Sequence, residues 1–454
     1  MKLIHALALG VLSFSSAMPS ARAETVAIDK VVFDPEIWKS SLDEVKKTVD
    51  GTRKKPKSEP LPEEIRKQLK EKGIEFEEED GAVLQWLSSN KEGLRASPGM
   101  VSLCGREVGE VVLRHQDGKL ANITISLYNR GDDGLLDENH FHERFQTWQG
   151  FIDEKLEVRG ETRNTRGAVP IEGMMWRKGD SAFLLESSWN SREDRAEFIR
   201  LRIASVSAAA NRSGKVADRS SLEAHVRKDD KGFTWIEGIP MVDQGQKGYC
   251  VVATIERVAR YYGVEMDQHE MAQLANTDEA GTSGDEMEEA FQKVTGKIHV
   301  RTIKLLEFDD RQFERDVKAY NQAAKKADAW TFDVDLDRFI VHPASFWSRA
   351  DPKIFRDVKA RQSRCKLFQS RIKNYIDQGI PVCWTLFLGM YKEDDIPQSW
   401  GGHMRMIIGY NFDDPEKPLI YYTDSWGEGH SKKTMCAVEG YCMTMALYAM
   451  LPNK

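Results

Sequence analysis

The sequence predicts an α+β protein built as two successive units, and three observations carry this. At 454 residues the chain exceeds what one ordinary core holds, so two domains are the default expectation. Residues 100–205 combine alternating strand patterns with one helical-period stretch. Residues 231–454 begin with an apolar helix and finish in a series of strands, consistent with a helical part followed by an antiparallel β part. Between the two lies a small, polar and charged stretch, 206–230, read as a linker.

The elements follow in order. Residues 1–23 read as an export signal: Lys2 is the positive start, LIHALALGVL the apolar stretch and Ala21-Arg22-Ala23 a small-x-small cleavage site. The mature protein is therefore expected in the periplasm or outside the cell. Residues 24–99 read as a charged helical and linker segment. RKKPKSEPLPEE is its proline-containing linker, and EEIRKQLKEKG is a solvated helix closed by Gly73. Val111–Arg114 and Ile123–Tyr128 are strands about an Asp117-Gly118 turn. Phe141, Phe145, Trp148 and Ile152 recur at helical spacing, which places a helix over 138–155 against that sheet. Strands follow near Gly173–Arg177, Ser181–Glu186 and 199–203, completing a small α+β domain of unassigned role over 100–205. In the second unit, Cys250–Tyr262 is a helix stopped by Gly263. Asp351 and Pro352 cap and start one long helix that runs to Gly379. Pro381–Leu388, Met404–Tyr410, Leu419–Thr423 and Met443–Leu451 are strands.

Composition narrows the class. The chain is 41% hydrophobic and 30% charged with a net charge of −7. Loss of Lys2 and Arg22 with the signal leaves it near −9, which is not the basic footprint of a nucleic-acid binder. No later run reaches about 18 apolar residues, so no integral membrane span is expected. Six cysteines are sparse for this length and do not make a disulfide scaffold. Cys436 and Cys442 would lie about 9 Å apart along a helix axis, too far to bridge. His140 and His142 are two apart and read as a solvated helix face rather than a metal site. GDDGLLDEN lacks the spacing of a calcium loop.

The chemistry concentrates in Met241–Thr254, MVDQGQKGYCVVAT. Cys250 opens a helix there. A thiol at a helix start sits in the positive end of the helix dipole beside unpaired N–H groups, a setting that favours the thiolate. Gln244, six residues earlier on a loop containing Gly245 and Gly248, can offer its amide to an oxyanion, with the Cys250 N–H as a second donor. His403 follows Gly401 and Gly402 at the head of an apolar strand, 153 residues after Cys250, and is the candidate base. Asp424 in YYTDSWG is the candidate orienter, and Trp426 a shield for its bond to the imidazole.

These motifs, QGxxGxC, GGH before an apolar strand, and SWG, resemble those of the papain-like cysteine peptidase superfamily over about 231–454. The resemblance implies Gln244 as oxyanion residue, Cys250 as nucleophile and His403 as base. Asp424 stands where papain-type enzymes usually carry Asn. That residue, with the YYG-like end of the cysteine-headed helix, is similar to the bacterial double-glycine-type peptidases that process bacteriocin leaders. GTSGDEM, with Gly281 and Gly284, is similar to the glycine-bearing wall of the papain cleft. With Gly248, Tyr249, Gly402 and Trp426, these glycines are the expected substrate-binding residues. The pattern departs from the family in two places. Lys247 replaces the cysteine often found three residues before the nucleophile, and about 60 residues from Val300 to Arg361 look inserted. The resemblance implies a peptide or protein substrate and no metal or organic cofactor. An amine in place of water as acceptor would make the same residues an acyltransferase or cross-linking enzyme. A catalytically silent binding module of the same fold is the third reading. Oligomeric state is not readable.

Overall fold

The computed structural model describes residues 25–52, 82–165, 169–210, 217–264, 266–277, 291, 300–307, 310–332 and 344–452. The export signal, the proline-containing linker and the helix expected before Gly73 lie outside the described residues. So do Gly281 and Gly284.

The chain is mixed α+β with two large sheets. The first sheet is antiparallel, in the order 85–86, 93–96, 111–116, 119–129, 195–205, 181–190, 172–178 and 161–162. Period-two alternation fixes its register: Ile123, Ile125, Leu201 and Ile203 turn inward and are fully buried. Helix Glu138–Leu156 covers that face with Phe141, Trp148, Ile152 and Leu156, and Asp137 caps its start by accepting from the His140 N–H.

Residues 25–52 and 82–96 are less independent than their charge suggests. Val26, Val31, Trp38, Leu42, Val45 and Val49 are buried in the same core as this sheet, and Gly93–Ala96 is one of its strands. Core membership follows from these inward-facing apolar residues rather than from net charge. The stretch 206–230 is also partly structured. It contains helix Arg219–Leu222, and Val226–Lys228 is the edge strand of the second sheet.

The second sheet runs in the order 226–228, 234–236, 401–411, 382–388, 444–452 and 300–307, with 419–423 and 433–436 added beyond strand 401–411. The described parts of 300–361, which look inserted relative to the family pattern, belong to this unit's sheet and core. Val300–Glu307 pairs with Thr444–Pro452, and Val317, Tyr320 and Phe346 are fully buried. The single helix expected after Asp351 is two, Pro352–Ala360 and Ser363–Ile376. Gln362 sits at the break and is held by tertiary bonds, donating to Asp316 and accepting from the Tyr441 hydroxyl.

Helix Cys250–Tyr261 is buried almost all round, with Val252, Ala253, Ile255, Val258 and Ala259 against the strands. It packs on strand Gly401–Asn411, the strand that carries His403. Residues 153 positions apart are thereby brought to one end of a shared core.

Candidate active site

The loop before Cys250 is shaped by local chemistry. Gly245 adopts φ +72°, a region that costs most residues and not glycine. Its N–H donates to Asp243 Oδ1 at 2.8 Å. Tyr249 is the N-cap and Cys250 the first helical residue. The first-turn N–H groups have no partner within a helix, and no side chain caps this one, so the dipole's positive end opens at the thiol. Cys250 itself is half-buried.

His403 is buried on strand Gly401–Asn411, opposite Leu386. Its Nε2 lies 2.7 Å from Asp424 Oδ1. A carboxylate accepts only, so Nε2 carries the hydrogen and Nδ1 is the free base position of the neutral ring. Nδ1 is buried and makes no formed hydrogen bond. The Cys250 thiol lies near enough to the imidazole to favour its protonated form. Such contacts are often loose in an unliganded site and tighten with substrate. Burial disfavours the imidazolium, but the Asp424 carboxylate outweighs it, and with Cys250 raises the His403 pKa from 6.5 to about 9.

Asp424 is shared. Its Oδ1 also accepts from the Ser425 N–H at 2.8 Å, and its Oδ2 accepts from Arg405 Nε at 2.6 Å. Burial pushes the carboxyl up, but His403 and Arg405 together hold it well below the usual carboxylate range. Trp426 stacks on the His403 ring, centroids 4.4 Å apart and planes 12° from parallel, and screens the pair from water.

Gln244 is buried beside them. Its N–H donates to Ser425 O at 2.8 Å, its Oε1 accepts from Ser425 Oγ at 2.7 Å and its Nε2 donates to Lys247 O at 3.0 Å. Because Ser425 occupies the oxygen, the amide's NH2 end is fixed toward the Lys247–Cys250 stretch. One of its two hydrogens is left for a further acceptor.

Residues 238–324 match the Peptidase C39 family. The match takes in the Gln244 loop and the whole Cys250–Tyr261 helix, and it ends before His403 and Asp424. At family level it supports a cysteine peptidase, consistent with the double-glycine-type resemblance read from the motifs. The first unit has no family match, and no curated protein is significantly similar to the chain.

The C39-type segment is tied to the rest of the site by residues that motif reading passed over. Arg257, on the Cys250–Tyr261 helix and fully buried, donates to Asp424 O at 2.9 Å, Thr423 Oγ1 at 2.6 Å and Pro240 O at 2.8 Å. Burial without a bonded carboxylate lowers its pKa to about 10. Arg405 reaches past Asp424 to Glu393 at 3.0 and 2.8 Å, and the Tyr422 hydroxyl completes that group on Glu393 at 2.5 Å. Each had a visible signal, a charged arginine inside a largely apolar helix or strand, which in a buried element demands oxygen partners.

The structure divides the expected substrate-binding residues. Gly402 is exposed next to His403, Gly248 is half-exposed on the loop, and Trp426 is half-buried over the imidazole. Tyr249 is a correction. It is 1% exposed, packs against the first unit and donates its hydroxyl to Asn129 Oδ1 at 3.1 Å, so it presents no surface to a cleft.

Proposed function

We propose that the protein is an exported cysteine peptidase, active in the periplasm or outside the cell, in which Cys250, His403 and Asp424 form the catalytic triad and Gln244 the oxyanion donor. The arrangement proposed is papain-like: a helix headed by the nucleophile meets a strand carrying the base. The observation that carries this reading is the buried His403, held through Nε2 on Asp424 and within electrostatic reach of the Cys250 thiol at the helix start.

In this reading the Cys250 thiolate attacks a peptide carbonyl while the imidazolium is retained beside it. The oxyanion takes the spare Gln244 N–H and the Cys250 N–H. Collapse expels the amine, which leaves with the proton from His403. His403 then deprotonates water, which hydrolyses the thioester and restores the thiol.

The discriminating measurement is alkylation. Burial pushes the thiols of Cys104 and Cys365 up to about 11 and those of Cys383 and Cys442 up to about 12, so each is a poor nucleophile at pH 7. Iodoacetamide followed by peptide mapping is expected to modify Cys250 first, by about ten-fold or more over these four. Labelling of Cys250 no faster than Cys104 would sink the assignment. Water is the proposed acceptor, so a cleaved peptide incubated with excess glycine amide is expected to give only the free acid. An amide product would make the protein a transferase.

A further inference from the structure

The loop that ends at Cys250 is gripped from behind by the first unit, and the following contacts are among those that do it. Glu92 Oε2 accepts from the Met241 N–H at 2.9 Å. Arg95, itself paired with Glu110, lies 3.3 Å from Asp243 Oδ2. Lys247 Nζ, on a side chain only 2% exposed, reaches Asp132 Oδ2 at 2.7 Å. The Tyr249 hydroxyl donates to Asn129 Oδ1.

The gripping residues are themselves fixed. Asn129 Nδ2 donates to Asp132 Oδ2 at 3.0 Å, and the Asn129 N–H donates to Asp133 Oδ2 at 2.7 Å. Between them Gly131 is required: a Cβ there would lie 2.7 Å from the Tyr249 hydroxyl oxygen. Lys247 and Tyr249, two residues apart, share the face turned to the first unit, while Gln244 packs on Ser425 and Cys250 neighbours His403. Lys247 also occupies the position at which the papain-type resemblance leads one to expect a cysteine.

A detachable inhibitor would not be built this way. Its departure would leave a buried lysine without its carboxylate and bare a buried tyrosine, both within three residues of the nucleophile. Resting on the peptidase reading above, we propose that Asp132, Asn129 and Arg95 are positioning residues for the Gln244–Cys250 loop. The first unit is then an obligate half of the active site, acting through Lys247, Tyr249 and Asp243.

The test uses the full chain. Asp132→Asn removes the charge facing Lys247. It is expected to slow iodoacetamide labelling of Cys250 about ten-fold at pH 7, to displace the pH profile of that labelling, and to speed amide exchange across 244–250, since small misplacements of a reacting group are costly. Asp132→Glu is expected to recover most of the rate, which relief of a merely structural defect elsewhere would not produce. Should Asp132→Asn fail to fold, Tyr249→Phe deletes only the hydroxyl and is expected to slow labelling by about three-fold by the same displacement. Folded variants that label and exchange at wild-type rates overturn the proposal while leaving the peptidase reading intact. A wild-type Cys250 that labels no faster than Cys104 overturns the peptidase reading, and the positioning role falls with it.

Discussion

Replacing Cys250 by alanine is expected to abolish peptide hydrolysis, by about 10⁴-fold or more, while leaving the fold unchanged. The size follows from the proposed site having one nucleophile. In that reading His403 and Gln244 arrange proton and charge, but neither attacks the carbonyl. The intact fold follows from location: Cys250 is only half-buried at the rim of the core, whereas Val252, Ala253 and Ile255 behind it are fully buried and stay in place. Turnover by a casein-type substrate mixture, with circular dichroism on the same sample, checks both halves. Residual hydrolysis above about one per cent of wild type is incompatible with a single nucleophile.

The second large effect is expected at Asp424. Papain-type enzymes usually place Asn here, so Asp424→Asn looks conservative, yet it is expected to cost about 10²–10⁴-fold in kcat. The reason is Arg405. Asp424 offers one oxygen to His403 and the other to Arg405. An amide has one oxygen. With that oxygen kept on Arg405, the NH2 group faces His403 Nε2 and forces the hydrogen onto Nδ1, the nitrogen that must accept from the thiol. With the oxygen on His403, an NH2 group confronts a buried guanidinium.

Charge adds a pH signature to this substitution. His403 is raised from 6.5 to about 9, so its pairing with Asp424 stabilises the fold fully below about 6.5 and is lost as pH rises through about 9. Wild type is expected to lose thermal stability across that window and to show its alkaline activity limb near its upper end. Asp424→Asn should flatten the stability profile and draw the limb downward. Asp424→Ala strands both partners and is expected to cost about 3–5 kcal/mol in denaturant unfolding. An alkaline limb unmoved by Asp424→Asn would remove the carboxylate from the triad.

Much of this was legible locally. The helix at Cys250, the strand at His403 and the strand ending before Asp424 each carry their own periodicity and punctuation, and the structure has all three. The match over 238–324 agrees with the family reading of the Gln244–Cys250 motif. What escaped was set by distant partners. The break at Gln362 has neither glycine nor proline and depends on Asp316 and Tyr441, 46 and 79 residues away. The burial of Tyr249 depends on Asn129, 120 residues upstream. Ser425, which orients the Gln244 amide, is an ordinary serine until the loop 181 positions before it is laid alongside. Local pattern reports which face of an element is apolar. It does not report which polar group from elsewhere will meet it.

Arg257 joins the helix behind the thiol to the backbone at Asp424 and to the loop at Pro240 through three hydrogen bonds in a fully buried setting. The two sides of the cleft are thereby riveted together at their base. They cannot swing apart like a hinge without stripping a guanidinium of its oxygens. On the proposed peptidase reading a substrate therefore meets a base that is fixed from within, with Trp400 and Gly402 exposed at the surface.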